Sequence, residues 1–268
     1  MTHAPLLTAL LLVISLCACA VQHPREFADI KPGTLLERTV DVEGGPHRFA
    51  VWVAAGYDAT RPSACVVFLH GSGECGTDGV KQTTVGLFPA AKADGAQWNC
   101  VIVMPQKPVQ ASEWEEHEEL VLACLKEARL ELNIDPLRVS LTGLSQGGHG
   151  TWMIGARHPE LFSALAPVCG YGHPTTVVPR VAGKPIWAFH GEKDDVVTSA
   201  ESKRMIAALK VLSDAAGRPA DSRESQCDVV LVASALAGLA LLARSGRLSA
   251  LGFAPEEILQ RLDEHFGR

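Results

Sequence analysis

Several signatures of common functions are missing from this chain of 268 residues. It has no P-loop, no dinucleotide-binding fingerprint, no zinc-ligand spacing and no internal repeat, so we expect neither a cofactor nor a metal ion. Positive charge is also scarce, because 24 Lys and Arg residues stand against 30 Asp and Glu residues, which gives a net charge of −6. An acidic balance of this kind argues against a nucleic-acid partner.

Apolar runs long enough to span a membrane are absent too. The run Leu6–Ile14 and the small residues that follow it are typical of a secretory signal peptide over residues 1–20. Two processing routes fit: Leu16-Cys17-Ala18-Cys19 resembles a bacterial lipobox that would lipidate Cys19, and Ala18-Cys19-Ala20 permits cleavage before Val21. We favour the first route. We therefore expect an exported protein, either a periplasmic or outer-membrane lipoprotein held only by a lipid at Cys19, or a freely secreted one.

The rest of the chain has the material for one folded domain. A polar tether is expected over 21–35, and a single α/β domain over 36–268, since 47% of the residues are hydrophobic and about 248 remain after the signal peptide. A hairpin with a Gly-Gly turn is predicted from 38–42 and 48–53, and the clearest helix from Glu115 to Leu132. Further strands are predicted at 65–69, 101–104, 138–142, 163–168 and 185–189. Their alternation with helices predicts a mainly parallel sheet covered on both faces.

The most informative stretch is Gly143-Leu144-Ser145-Gln146-Gly147, which lies between a strand and a helix. A G-x-S-x-G in this setting is the pattern of a nucleophile elbow, a tight turn that lifts the serine hydroxyl clear of the sheet. Glycines two positions before and after the serine leave room for the turn, because a Cβ there would clash. The pattern therefore nominates Ser145 as a nucleophile.

Two further segments end buried strands with His-Gly. The first runs from Cys65 to Gly73 and ends in His70-Gly71-Ser72-Gly73, and the second runs from Lys184 to Val197 and places acids after His190-Gly191. The order of serine, then acid, matches that of the α/β-hydrolases, in which a loop after the first such strand supplies one backbone N–H of the oxyanion hole. The residue after the nucleophile supplies the other, which nominates the N–H groups of Ser72 and Gln146.

With these segments in place, the chain resembles the bacterial serine esterases of the α/β-hydrolase superfamily. It is most similar to the carboxylesterase/phospholipase-like type, close to polyhydroxybutyrate depolymerase-like and feruloyl esterase-like proteins, from about residue 36 to about residue 210. The resemblance implies the α/β-hydrolase fold, a small-molecule or polymeric ester as substrate, Ser145 as nucleophile and Asp194 as the triad acid. Asp194 is preferred to Asp195 because the family acid lies four residues after the histidine. His70 and His190 are structural in the family.

The departure from the family lies in the catalytic base. The family supplies it from a Gly-His after the last strand, and residues 227–268 contain no Gly-His. Their one histidine, His265, lies in a stretch that is typical of an amphipathic surface helix. His149 and His158, on the helix after the elbow, and His173, on a strand-exit loop, are weak alternatives. Without a base a serine keeps its ordinary alcohol pKa and is a poor nucleophile.

The tail from about residue 211 is atypical as well. It contains an apolar run from Val229 to Ala243, which we interpret as a buried strand leading into a helix, since a membrane span needs roughly 20 residues. Two alternatives stay open: a divergent tail that abolished catalysis, or a frameshift that removed the family's last strand. A catalytically impaired protein of this fold that binds a ligand or partner is therefore the alternative function.

Cysteines fit an exported protein, since an oxidising compartment permits disulfides. Cys65 and Cys100 each begin a predicted core strand, and the two strands are expected to be neighbours. We therefore predict Cys65–Cys100 as a candidate disulfide, with buried thiols as the alternative.

Overall fold

The computed structural model describes residues 27, 30–42, 44–93 and 98–215. The signal peptide, most of the tether, the tail from residue 216 and His265 lie outside the described residues, so the predictions made for them stay predictions. None of the described helices is long and apolar enough to cross a membrane.

The sheet begins with the predicted hairpin. Strands β1 (Thr34–Val42) and β2 (Gly45–Val53) pair in antiparallel fashion along their whole length. Gly44 and Gly45 at the turn have φ values of 99° and 110°. These values lie in a region that residues with a Cβ rarely adopt, and they explain why the turn needs two glycines.

The parallel part of the sheet consists of β3 (Ser63–Leu69), β4 (Cys100–Pro105), β5 (Ile134–Leu144) and β6 (Ala164–Val168). The strand order is β1-β2-β4-β3-β5-β6, so the prediction of a mainly parallel sheet is confirmed. The chain goes from β3 to β4 on one side and then crosses back to β5 on the other side. The loops that leave β3 and β5 therefore diverge at a switch point, where open α/β sheets form a crevice at the carboxyl ends of their strands.

The strand predicted at 185–189 is wrong in extent. Only two isolated parallel bridges form with β6, at Leu165–Ile186 and at Val168–Phe189. The Trp187 N–H donates to the Leu165 carbonyl, and the Phe189 N–H donates to the Pro167 carbonyl. The bond expected between these two is missing, because Pro167 has no N–H to donate. The proline that breaks the ladder lies in β6, not in the segment for which the strand was predicted.

Helices cover both faces of the sheet. They are α1 (Leu87–Ala93), α2 (Glu118–Glu131), α3 (Gln146–Arg157), α4 (Pro174–Val181) and α5 (Ala200–Ala215). The helix predicted from Glu115 begins as a 3₁₀ turn at Trp114–His117, and α2 follows it with one apolar face buried. The helices α2 to α5 contribute to the larger core on one face, and α1 to a smaller core on the other.

The predicted Cys65–Cys100 disulfide is wrong. β3 and β4 are neighbours as expected, but Cys65 lies opposite Val101 and Ala64 lies opposite Cys100. Successive side chains of a strand alternate between faces, so Cys65 belongs to the larger core and Cys100 to the smaller one. The two side chains therefore project from opposite sides of the sheet and no disulfide joins them.

Candidate active site

Loops from the carboxyl ends of the central strands meet around one cavity of about 520 Å³. This volume lies within the range that small-molecule sites occupy. The wall includes three of the four predicted site residues, Ser72, Ser145 and Gln146. It is completed by Gln110, Ala111, Tyr171, Val196 and Val197.

Ser145 has the backbone of a nucleophile elbow, with φ 58° and ψ −116°. A non-glycine residue in this region is strained, and strain of this kind persists only where the surroundings enforce it. They do so here: a Cβ on Gly143 would lie 2.3 Å from the carbonyl oxygen of Gly147, and a Cβ on Gly147 would lie 1.9 Å from that of Leu69. The steric reason for the two glycines is therefore as predicted from the sequence.

The helix α3 starts directly after Ser145. The Ser145 N–H donates to Val168 (2.9 Å), and the Ser145 carbonyl accepts the first helical hydrogen bond from His149 (2.9 Å). The N–H of Gln146 belongs to the first turn, where N–H groups have no acceptor within the helix. Such a group beside the serine can donate to a developing oxyanion.

The loop after β3 approaches the serine from the other side. A Cβ placed on Gly71 would lie 3.6 Å from the Cβ of Ser145, and Ser72 lines the same cavity. The loop is held by His70, which is fully buried and whose pKa is lowered to about 4, because burial disfavours the charged ring. The neutral ring donates from Nδ1 to the Gly71 carbonyl (2.6 Å) and accepts at Nε2 from the Lys107 N–H (2.9 Å).

Asp194 lies after the segment 185–189, and its side chain is only 5% exposed, whereas Asp195 is exposed. One carboxylate oxygen accepts hydrogen bonds from the N–H groups of Val196 (3.0 Å) and Val197 (2.9 Å). The other lies 3.6 Å from Nε2 of His190. Asp194 is absent from the cavity wall itself, but it fixes the turn that brings Val196 and Val197 to it.

Among the described residues, no histidine lines the cavity. His190 is occupied elsewhere, since its ring nitrogens are bonded to the Ser202 hydroxyl (2.8 Å) and the Val197 carbonyl (2.6 Å). His158 lies near the carboxylates of Glu118 and Glu160. His173 is exposed at the start of α4. A base for Ser145 is thus not provided by any of these side chains in the positions they hold.

His149 belongs to a buried network behind the cavity wall. Its Nδ1–H donates to the Tyr171 carbonyl (2.9 Å), its Nε2–H donates to Glu115 (3.1 Å), and its ring stacks on that of Tyr171 at 4.3 Å. The Tyr171 hydroxyl donates to Glu113 (2.6 Å). Burial alone would lower the pKa of His149, but the bonds to Glu115 and Tyr171 and the nearby carboxylates outweigh it and raise that pKa.

The same network is the one group of described residues that could hold a metal ion. Ligand atoms of Glu113, Glu115 and His149 lie within 4.8 Å of one another. Both ring nitrogens of His149 already have hydrogen-bond partners, so neither is free to bind a metal ion; one oxygen of each carboxylate is bonded as well, and the other is buried without a partner. We therefore interpret the cluster as a hydrogen-bonded ion pair that fixes Tyr171 in the cavity wall.

Sequence reasoning missed part of the cavity wall. Gln110 and Ala111 come from the loop after β4, Tyr171 from the loop after β6, and Val196 from the loop that contains Asp194. The available signal was their position just beyond strand ends, where ligands bind in such sheets. It identifies the loops but not the side chains that face inward.

Comparisons with known proteins support the fold. No protein-family model and no curated protein matches the chain. Among solved structures, a thermostable esterase is 31% identical with a TM-score of 0.59, and the match covers 66% of this chain and 52% of that one. This chain therefore spans about half the length of that esterase.

Two feruloyl esterases share the architecture at lower identity. The feruloyl esterase module from Clostridium thermocellum, complexed with sinapinate, is 16% identical with a TM-score of 0.54 over 69% of this chain and 75% of that one. A ferulic acid esterase from the anaerobic fungus Anaeromyces mucronatus is 16% identical with a TM-score of 0.51 over 70% of this chain and 82% of that one. Together with the sheet order and the elbow, these likenesses establish that the chain has the α/β-hydrolase fold.

Proposed function

We propose that this protein is an exported carboxylic ester hydrolase with Ser145 as its nucleophile. The observation that carries the proposal is the strained elbow of Ser145, which opens on a cavity shared with Ser72 and Gln146. The thermostable esterase at 31% identity supports the same class of reaction. Export rests on the signal peptide expected over residues 1–20, with lipidation at Cys19 or free secretion as the two routes.

In the proposed reaction the Ser145 hydroxyl oxygen attacks the ester carbonyl and forms a tetrahedral intermediate. The negative charge on the carbonyl oxygen is stabilised by the N–H groups of Ser72 and Gln146. The alcohol then leaves, and water hydrolyses the acyl-enzyme. Both steps need a group that takes and returns a proton, and in this fold that group is a histidine oriented by the acid, here Asp194.

The base is the part of the proposal that the described residues do not supply. Removal of one triad member in comparable enzymes leaves only about 10³–10⁴-fold catalysis over water, from the oxyanion hole and binding. The first candidate base is His265, which lies outside the described residues. The second candidate function follows from the same observation: a protein of this fold that binds an ester or a related ligand but turns it over poorly.

A fluorophosphonate probe separates the two functions, because it reacts with activated serines. Purified full-length protein is labelled and the modified residue is mapped by mass spectrometry, with Ser145→Ala as the control. Label confined to Ser145 is expected for the esterase. If Ser145 in folded protein stays unlabelled, the esterase proposal is wrong and the binding function is favoured.

A second experiment identifies the base. His265→Ala is compared with wild type in the hydrolysis of p-nitrophenyl acetate and methyl ferulate, and His173→Ala serves as the matched control. If His265 is the base, its loss lowers kcat by about 10³-fold or more. Added imidazole should then restore part of the rate in His265→Ala alone, because a small base can enter the cavity.

A further inference from the structure

Lys107 is the most unusual charged residue in the described structure. It follows β4 and is fully buried, although lysine is almost never fully buried unless it is paired. Its ammonium donates to the backbone carbonyls of Val109 (2.6 Å) and Ser112. The proposed chemistry makes no use of this buried cation, so the reason for its position has to lie in the contacts that it makes.

The two carbonyl partners lie at the two ends of the loop, where the Ser112 hydroxyl also donates to the Val109 carbonyl (2.9 Å). Val109 and Ser112 lie on either side of Gln110 and Ala111, which line the cavity. Because one ammonium binds the carbonyls on both sides, the intervening residues have to bulge away from Lys107. The buried charge therefore fixes the loop from inside while its tip faces the cavity.

The tip of the loop is bonded to the first residue of α3. The side-chain amide of Gln146 donates to the Gln110 carbonyl (3.0 Å). Gln146 is also the residue whose backbone N–H is the proposed oxyanion donor. A shift of the Gln110 carbonyl would thus remove a hydrogen bond that restrains this donor.

The backbone of Lys107 braces the other half of the site. Its N–H donates to Nε2 of His70 (2.9 Å), and its carbonyl accepts from the Gly76 N–H (3.0 Å). His70 in turn bonds the Gly71 carbonyl (2.6 Å), directly before Ser72. Lys107 is therefore linked to both segments that carry the proposed oxyanion donors, through His70 on one side and through the loop residues Val109 and Gln110 on the other.

We propose that Lys107 is a positioning residue that sets the geometry of the oxyanion hole by clamping the 107–112 loop between His70 and Gln146. The effect on catalysis rests on the proposed function, whereas the restraint of the loop by Lys107 rests only on the hydrogen bonds described above. Lys107 touches no reacting atom. Its effect appears in the transition state, where the donors must reach the oxyanion, and not in the binding of the ester.

The test compares Lys107→Met, which keeps the length of the chain and removes the donors, with Lys126→Met on an exposed face of α2. Hydrogen–deuterium exchange is followed by mass spectrometry in peptides that cover 107–113 and 145–150. We expect both peptides to exchange faster than in wild type for Lys107→Met, and at the wild-type rate for Lys126→Met. Unchanged exchange at 145–150 would overturn the proposal. Hydrogen–deuterium exchange requires no turnover, so it tests the role of Lys107 even if the wild-type protein hydrolyses no ester. Absence of ester hydrolysis would refute the proposed esterase function and leave the positioning role of Lys107 intact.

Kinetics test the catalytic consequence. In Lys107→Met, misplaced oxyanion donors should lower kcat about 10- to 100-fold and leave KM within about twofold of wild type. Here kcat is calculated per active serine, and the active serines are counted by titration with the fluorophosphonate. A role in folding alone would reduce the number of titratable serines and leave kcat per serine unchanged, which would contradict the proposal.

Gln146→Met removes the hydrogen bond between the Gln146 side chain and the Gln110 carbonyl but keeps the backbone N–H of residue 146. This variant tests the proposal if Lys107→Met does not fold. It should reduce kcat in the same direction, and an unchanged kcat would overturn the proposal. In the double variant the two losses should be less than multiplicative, because both act through the same contact.

Discussion

Gly147→Ala sets helix propensity against steric packing, and the structure decides which effect is larger. Gly147 lies in the first turn of α3, where alanine is favoured over glycine by up to about 1 kcal/mol. A Cβ at this position would lie 1.9 Å from the Leu69 carbonyl oxygen and 2.8 Å from that of His70. Both are backbone atoms of the central strand and the loop that follows it, so no side-chain rotation relieves the clash.

Relief requires α3 to move away from β3 by more than an ångström, and the movement would displace Ser145 as well. Overpacking of a close-packed interior typically costs about 1–3 kcal/mol, and more where the backbone itself is the obstacle. We therefore expect Gly147→Ala to lower the free energy of unfolding by about 4 kcal/mol, well beyond the gain in propensity.

The measurement is urea unfolding followed by circular dichroism. Gly73→Ala is the matched control, because a Cβ there meets nothing within 4 Å and Gly73 also lies beside the site. It should change the free energy of unfolding by no more than about 0.5 kcal/mol. An unfolding midpoint of Gly147→Ala at or above that of wild type would refute the steric argument for the elbow.

Three further predictions concern the surroundings of the site. His149→Gln should destabilise the protein most between about pH 4.5 and 6.5, the ordinary pKa values of Glu115 and His149. Because the pKa of His149 is raised, the stability from its ion pair with Glu115 is lost as the pH rises through that pKa. Because the pKa of Glu115 is lowered, the same stability is lost as the pH falls through the pKa of Glu115. A difference in unfolding midpoint between variant and wild type that does not change with pH would contradict this prediction. Trp114→Phe should lower the free energy of unfolding by about 2 kcal/mol, since the fully buried indole donates to the His70 carbonyl (3.0 Å), and urea unfolding measures it. Iodoacetamide at pH 8 should modify Cys75 faster than Cys65 in native protein: burial raises the pKa of both thiols, but Cys75 is only half-buried whereas Cys65 lies in the core, and peptide mapping will measure the two rates.

The features that the sequence predicted are those whose causes are local. The elbow could be predicted because Gly143 and Gly147 are needed within a few residues of Ser145. The parallel sheet could be predicted because alternating strands and helices leave few other arrangements. The hairpin turn was equally local, since two consecutive glycines permit the positive φ values that it requires.

The features that failed depend on partners distant in the chain. The ladder of 185–189 is interrupted by Pro167 of the neighbouring strand, and this cannot be inferred from 185–189 alone. The disulfide prediction failed because adjacency of two strands does not fix the register, and a register shifted by one residue sends Cys65 and Cys100 to opposite faces. Lys107 gave no signal, because only the folded loop shows the carbonyls that bind its ammonium.

The contacts that hold Ser145 and Asp194 in place also indicate how the cavity would be affected if no histidine acts as a base. Ser145 is held by close packing at Gly143 and Gly147, and Asp194 by two backbone N–H groups. None of these contacts involves a catalytic histidine, so the cavity should form whether or not a base reaches it. On the proposed function, binding and turnover should therefore be separable. A ligand that occupies the cavity should bind wild type and Ser145→Ala with similar affinity.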